Sequence, residues 1–216
     1  MSYQAVIFDF DYTLADCTSG IVDCVNTAFN HMDIEEASVE SIRKAVGMTL
    51  PNTYHFLTKD ENKGKAVKFQ EEFMIRADEV MAKSATFLPF AKEVVLKLKE
   101  DGIQLGIVTT KYRHRIISIF ELMELPGFIQ HVIGADNVEK EKPDPEGLIQ
   151  MIKDMKLKKE EVLYIGDSLV DANTAQNAGV DFAAVTTGAT LAEEFHSYHP
   201  IMIMEDLRPV ISLVKM

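Results

Sequence analysis

Short apolar runs alternate along the chain with longer segments in which apolar residues recur at helical spacing. The apolar runs predict strands at 4–8, 104–108, 131–134, 162–166, 182–185 and 201–203. Segments with a helical repeat lie between them, at 113–123, 146–155 and 169–178. Strands that alternate with helices are typical of a parallel sheet whose two faces are covered. The pattern therefore predicts an α/β fold with a doubly wound parallel sheet.

The stretch 16–84 differs from the rest because its pattern contains helices and no convincing strand. Its clearest repeat consists of apolar residues three or four positions apart: Ile21, Val25, Ala28 and Met32. A short second helix is expected to end at Gly47, and a longer helix covers about 66–80. We therefore expect residues 1–15 and 85–216 to form the sheet domain. Residues 16–84 would form a helical domain inserted directly after the first strand.

Polar residues that could bind a ligand or take part in catalysis follow several of the predicted strands. Asp9 and Asp11 come directly after the first strand, and later strand ends carry Thr109, Thr110 and Asp167. Ligands of parallel α/β sheets bind beyond the carboxyl ends of the strands, so these side chains are expected to meet there. Lys142 lies in a loop just before a predicted helix.

Together these residue types suit phosphoryl chemistry. Asp9 and Asp11 are two positions apart, so both can face one point, where a hard divalent cation would offset their repulsion. Lysine and threonine side chains can hold a phosphate. Each signal alone is weak, because an Asp-x-Asp pair can be a solvated turn, Lys142 a surface charge and Asp167 a helix cap. Their joint placement at successive strand ends makes coincidence a poor explanation.

Composition and charge narrow the classes of function. The net charge of −12, from 34 acidic and 22 basic residues, argues against general nucleic-acid binding. No apolar run approaches the roughly 20 residues of a membrane span, and no secretory signal is recognisable, so the expected compartment is the cytoplasm. Cys17 and Cys24 fit neither a disulfide framework nor a zinc site.

The motifs resemble those of the haloacid dehalogenase-like (HAD) hydrolases. The first family motif, Asp-x-Asp-x-Thr, resembles Asp9-Phe10-Asp11-Tyr12-Thr13. The other three resemble, in order, Thr109 at its strand end, Lys142-Pro143-x-Pro145 and Gly166-Asp167-Ser168-x-x-Asp171. The resemblance covers essentially the whole chain and implies a Rossmann-like core, with the inserted helices as a type 1 cap domain. In detail the chain is similar to the phosphoglycolate phosphatase-like and pyrophosphatase-like branch.

The resemblance implies a catalytic role for each matching residue. Asp9 would be the nucleophile and would form an aspartyl-phosphate. Asp11 would protonate the leaving oxygen and then activate the hydrolytic water. Lys142, Thr109 and Thr110 would bind the phosphate. The implied function is hydrolysis of a small phosphorylated metabolite.

The resemblance also implies a magnesium cofactor. Mg²⁺ would be held by Asp9, the backbone carbonyl of Asp11, and Asp167. Asp171 would be either a further ligand or a partner of the ligands. The physical chemistry agrees, because Mg²⁺ and Lys142 would both favour the ionised, nucleophilic form of Asp9.

One residue departs from the family pattern. The family usually has glycine where Tyr12 stands, and glycine is often chosen for its backbone freedom. Tyrosine at this position could narrow the site, contact the substrate or point toward the cap domain.

Other functions fit parts of the same pattern. A β-phosphoglucomutase-like phosphosugar mutase shares all four motifs, and an inorganic pyrophosphatase would suit the same core. A haloalkanoate dehalogenase is disfavoured because it lacks an acid at the position of Asp11. A non-catalytic phosphate-binding protein, such as a receiver-like signalling domain, is disfavoured because receivers are shorter and have no inserted helical domain. The substrate and the oligomeric state are left open.

Overall fold

The computed structural model describes residues 3–215. Its strands are β1 (Ala5–Phe8), β2 (Ala15–Asp16), β3 (Thr86–Phe87), β4 (Gln104–Val108), β5 (His131–Ile133), β6 (Val162–Gly166), β7 (Asp181–Val185) and β8 (Met202–Met204). Its α-helices are α1 (Thr18–His31), α2 (Val39–Ala45), α3 (Leu50–Thr58), α4 (Lys63–Ser84), α5 (Ala91–Glu100), α6 (Arg113–Leu122), α7 (Glu146–Asp154), α8 (Leu169–Ala178) and α9 (Val210–Leu213). Short 3₁₀ helices lie at Ala135–Asn137, Lys159–Glu161 and Ala192–Tyr198.

Six of the strands form one parallel sheet in the order β5-β4-β1-β6-β7-β8. The chain runs outward from β1 through β4 to β5, and then crosses back to the other side of β1 with β6. Strand β1 is therefore where the strand order reverses, which is the position at which open α/β sheets bind ligands. This sheet, with helices on both faces, confirms the predicted doubly wound α/β fold.

The central strand is buried on both faces, as its continuous apolar run predicts. Val6 and Phe8 pack into one apolar cluster, while Ala5 and Ile7 pack into a second cluster. This alternation is the two-residue period of a strand, and it places a packed layer on each face of the sheet. The carboxyl end of β1 is thus held rigidly between its neighbours.

Helices α1–α4 form the segment between β1 and the rest of the sheet. Helices α1 and α4 pack together through Phe29 and Phe69, whose ring centroids are 5.5 Å apart. Arg76 of α4 also contacts Asp23 of α1, with 2.8 Å between Nη2 and Oδ2. We propose that residues 16–84 act as a cap domain on the core formed by 1–15 and 85–216. No helix within residues 3–215 has the length and apolar character needed to cross a membrane.

Two details of this segment differ from the sequence pattern. No strand is predicted between 16 and 84, but Asp16 of β2 pairs antiparallel with Thr86 of β3. A two-residue strand has no periodicity by which a pattern could reveal it. The prediction that the second helix ends at Gly47 is also wrong: α2 ends at Ala45, and Gly47 follows with φ of +91°.

Candidate active site

The carboxyl ends of β1, β4 and β6 bring the predicted site residues together. The backbone N–H of Asp9 donates to the carbonyl of Ile165 at 2.8 Å, so the sheet ladder fixes where the Asp9 side chain starts. Thr109 is fixed in the same way by a 3.1 Å bond from its N–H to the carbonyl of Ile133. Asp167 follows the last residue of β6. These positions meet at the point where the strand order reverses.

Three carboxylates form a buried acidic cluster. Asp9, Asp167 and Asp171 each offer an oxygen, and these oxygens lie within 4.8 Å of one another. Burial raises the pKa of Asp9 to about 7, and the ammonium of Lys142 opposes that rise. Burial, together with the charges of Asp171 and Asp9, raises the pKa of Asp167 well above its usual range. The ammonium group of Lys142 is therefore too little positive charge to hold the pKa values of Asp9 and Asp167 in their usual range.

Lys142 is the cation inside this cluster. Its Nζ donates to Oδ1 of Asp9 and to Oδ1 of Asp171, both at 2.6 Å, and to the hydroxyl of Tyr164 at 3.2 Å. Burial alone would lower the pKa of Lys142, but the carboxylates of Asp171 and Asp9 raise it well above the ordinary value. Lys142 therefore stays charged next to the carboxylate of Asp9, at a distance where it can also contact a phosphate bound there.

The carboxylate of Asp171 is occupied by protein donors. Oδ1 accepts from Lys142 and, at 2.9 Å, from the Tyr164 hydroxyl. Oδ2 accepts from the Ser168 hydroxyl at 2.5 Å and from the Ser168 N–H at 3.2 Å. The Ser168 hydroxyl also caps α8. This arrangement suits a residue that positions Lys142 more than one that binds a metal directly.

Asp11 stands apart from this cluster and pairs with Lys111. Nζ of Lys111 lies 3.1 Å from Oδ2 of Asp11, and both side chains are buried. Oδ1 of Asp11 is buried without a hydrogen-bond partner among residues 3–215. Buried polar atoms are rarely left unpaired, so this oxygen can accept a further hydrogen-bond partner.

Thr109 and Thr110 continue from β4 beside these residues. Thr109 is buried, and its hydroxyl accepts a bond of 3.2 Å from the N–H of Lys111. Its own hydroxyl proton can then be donated to a phosphate oxygen. Thr110 lines a cavity that also reaches Asp11. Both threonines follow the carboxyl end of β4, and their roles in phosphate binding stay predictions.

A sequence profile described as haloacid dehalogenase-like hydrolase matches residues 6–185 of the chain. The chain belongs to the haloacid dehalogenase-like hydrolases. The match begins at Val6 in the first strand and covers the helical insert and all of the predicted motif residues, so the predicted family is confirmed.

Known HAD-like proteins resemble the chain over nearly its whole length. It is 28% identical to pyrophosphatase PpaX of Oceanobacillus iheyensis, covering 99% of this chain and 98% of that protein. It is 26% identical to phosphoglycolate phosphatase of Pseudomonas savastanoi, covering 96% and 78% respectively. A crystal structure from Bacteroides fragilis, described as a haloacid dehalogenase-like hydrolase, is 38% identical to this chain and superposes with a TM-score of 0.92. The superposition covers 96% of this chain and 99% of the other chain.

Tyr12, the departure from the HAD-like pattern, lies in the left-handed region of the backbone. Its φ is +59°, a conformation that glycine adopts without steric cost. The ring is buried, and its hydroxyl lies 2.7 Å from Oγ1 of Thr18 in α1. The guanidinium of Arg43 in α2 lies over the ring, 5.1 Å from the centroid. The ring therefore points toward the helical insert, which compensates for its backbone strain.

We expect Tyr12→Gly to destabilise the HAD-like fold by about 2–4 kcal/mol. Losing a buried aromatic side chain costs about 3–5 kcal/mol, while relief of the left-handed backbone returns about 1 kcal/mol. Tyr12→Phe keeps the ring and loses one hydrogen bond, worth about 1 kcal/mol. Urea unfolding of the three proteins measures both differences. A Tyr12→Gly protein as stable as the parent would show that relief of the backbone strain fully offsets the lost packing of the ring.

Several residues of the site are not predicted from the sequence. Tyr164 reads as one apolar strand residue among others, yet its hydroxyl contacts Lys142 and Asp171. Thr13 belongs to the first motif, but the sequence does not predict that its hydroxyl donates to Oδ1 of Asp167 at 3.3 Å. Gly188 lies so close to Asp167 that a Cβ there would be 1.9 Å from Oδ2, so a side chain is excluded. These contacts come from separate parts of the chain and have no local signal.

Proposed function

We propose that this protein is a Mg²⁺-dependent phosphatase that hydrolyses a small phosphorylated metabolite through a phosphoryl group carried on Asp9. The observation that supports this most strongly is the charge balance of the acidic cluster. Three buried carboxylates offer oxygens within 4.8 Å of one another, and one ammonium group, that of Lys142, contacts two of them, Asp9 and Asp171. Such a site needs further positive charge to keep its carboxylates ionised.

The donor set fits a hard divalent cation. Carboxylate and carbonyl oxygens are the ligands that Mg²⁺ prefers, and Asp9, Asp167 and the backbone carbonyl of Asp11 would hold it. A magnesium ion bound there would neutralise charge on the transferring phosphoryl group. The two carboxylate oxygens of Asp171 already accept hydrogen bonds from Lys142, Tyr164 and Ser168. Asp171 would therefore support the site by holding Lys142.

The protein's own residues divide the remaining work. A carboxylate oxygen of Asp9 attacks phosphorus, and Lys142 keeps that carboxylate ionised and binds a phosphoryl oxygen. The Thr109 hydroxyl donates to another phosphoryl oxygen. Asp11 gives a proton to the leaving oxygen, and then takes one from the water that hydrolyses the phosphorylated Asp9. Lys111, paired with Oδ2 of Asp11, holds that carboxyl group in place.

The direct test is a phosphate-release screen with Mg²⁺ and with EDTA. The panel begins with pyrophosphate and phosphoglycolate, which the relatives' names suggest, and adds sugar phosphates, nucleoside monophosphates and simple alkyl phosphates. We expect metal-dependent release that disappears in Asp9→Asn. Isomerisation of a sugar phosphate without net release would point to a mutase. No release from any phosphoester, with Mg²⁺ present, would contradict the proposal.

The two acidic residues of the fourth motif should respond differently to substitution. Asp167→Asn should raise the Mg²⁺ concentration for half-maximal activity by at least about 10-fold, because a metal ligand loses its charge. Asp171→Asn should instead lower kcat with little change in Mg²⁺ requirement, because its oxygens contact Lys142 and Ser168. Magnesium titrations of both variants decide this. Equal shifts in Mg²⁺ requirement would show that Asp171 is also a ligand.

A further inference from the structure

A small cavity lies between the helical insert and the core, beside Asp11. Its volume is about 70 Å³, well below the roughly 300 Å³ at which pockets for drug-sized ligands begin. From the core it is bordered by Asp11, Thr110 and Lys111. From the helical insert it is bordered mainly by apolar side chains, among them Ile21, Val25, Ile42, Met48, Phe73 and Met74.

The cations that border this cavity are already paired. Lys111 contacts Asp11 at 3.1 Å, and Arg115 contacts Asp78 of α4 at 2.8 Å. The remaining charged group on the wall is the carboxyl of Glu141, and burial raises its pKa. Among the described residues of the wall, no cation is without an acidic partner. A second anionic group of a substrate would thus compete with the carboxyl groups of Asp11 and Asp78 for these cations, and it would also lie near Glu141.

A different groove contains the other cations near the site. It is lined by Arg43 and Lys44 together with Asp167 and Ser168, and it does not reach Asp11. The Arg43 guanidinium lies over the Tyr12 ring, and Lys44 pairs with Glu40 at 2.8 Å. The proton for the leaving oxygen comes from Asp11, so the leaving group lies in the cavity that borders Asp11.

We infer that the preferred substrate is a phosphate monoester whose alcohol portion is small, uncharged and mainly apolar. This inference rests on the proposed function, in which Asp11 protonates the leaving oxygen. Asp9 forms a bond to phosphorus, the bond from phosphorus to the ester oxygen breaks, and the proton of Asp11 goes to that oxygen. A neutral alcohol then leaves through an apolar cavity, and water releases phosphate from Asp9. Burying an unpaired carboxylate or phosphate in such a cavity is strongly unfavourable.

The test compares two esters of the same size that differ in charge. Phosphoglycolate carries a carboxylate in its leaving group, and the phosphate ester of glycolamide carries a neutral amide in its place. We expect kcat/KM for the amide ester to exceed kcat/KM for phosphoglycolate by at least about 10-fold. The amide ester should exceed pyrophosphate by a larger factor. Equal or faster turnover of phosphoglycolate or pyrophosphate would overturn the inference.

Gln70 offers a matched pair of variants in the cavity wall. It is half-buried on α4 and borders the same cavity. Gln70→Lys adds a cation without an assigned partner, while Gln70→Met keeps similar length without charge. The lysine variant should shift the ratio of kcat/KM values toward phosphoglycolate by about 10-fold relative to the methionine variant. Equal ratios for the two variants would contradict the placement of the leaving group.

Arg43→Gln tests the alternative groove. The ratio of kcat/KM for the amide ester to kcat/KM for phosphoglycolate should stay unchanged, because Arg43 lies outside the cavity that borders Asp11. A ratio that rises sharply in this variant would place the leaving group beside Arg43 and overturn the inference. Failure of the proposed function is a separate result: no ester of the panel, charged or neutral, would then give Asp9-dependent phosphate release.

Discussion

Asp9→Asn should lower kcat by on the order of 10⁵-fold or more while the protein remains folded. An amide has nearly the shape of the carboxylate but cannot attack phosphorus, and loss of a nucleophile has effects of this size in other enzymes. The substitution also removes one of three clustered negative charges, so the fold is not expected to suffer. Phosphate release measures kcat, circular dichroism measures the folded structure, and thermal unfolding measures its stability.

Asp33→Asn is the matched control for this substitution. Asp33 is exposed and has a left-handed backbone, which asparagine tolerates as well as aspartate does. Its activity should equal that of the parent. The kcat of Asp11→Asn should lie between those of Asp9→Asn and Asp33→Asn. We expect a decrease of about 10²–10⁴-fold, because proton transfer is lost. An Asp9→Asn protein that keeps more than about a hundredth of parental activity would contradict the nucleophile assignment.

Lys142→Met should both abolish activity and destabilise the metal-free protein by about 3–5 kcal/mol. The ammonium contacts Asp9 and Asp171 at 2.6 Å, and removing it leaves these buried carboxylates without a cationic partner. These carboxyls are then protonated more readily in the folded than in the unfolded protein. Folding stability should therefore fall as pH rises, so the loss should be larger at about pH 8 than at about pH 5.

Lys140→Met is the control for this experiment. Lys140 is exposed in the same loop, two positions before Lys142, and the substitution removes the same positive charge. It should change stability by less than about 0.5 kcal/mol. Denaturant unfolding at the two pH values, with and without Mg²⁺, gives the comparison. Similar losses for both variants, or a Lys142→Met loss that does not depend on pH, would show that Lys142 does not stabilise the acidic cluster.

The sequence predicts the framework of the site because that framework is local in origin. Each of Asp9, Thr109 and Asp167 directly follows a strand with a strong apolar signal, and parallel strands end at the same edge of a sheet. Strand identity and sheet type therefore determine where the three residues meet. Lys142 has no such signal, because it lies in a loop, and the resemblance to the family is what distinguishes it from Lys140.

The contacts that tune the site could not be predicted, because they depend on how side chains pack across the fold. The pairing of Lys111 with Asp11 joins two loops, and Tyr164 reaches Lys142 from the middle of an apolar strand. The position of the Tyr12 ring depends on helices α1 and α2 lying against the first loop. A pattern of apolar and polar positions gives the face of a strand or helix, but not the partner that a side chain meets there.

The central claim is that Asp9 carries the phosphoryl group, and a structure with a phosphoryl mimic tests it most directly. The protein would be crystallised with Mg²⁺ and beryllium fluoride, which forms a stable mimic of a phosphorylated carboxylate. We predict beryllium bonded to a carboxylate oxygen of Asp9, with its fluorides contacting Lys142 and Thr109. Beryllium bonded to Asp11 or Asp167, or bound with no link to a carboxylate of the protein, would contradict the claim.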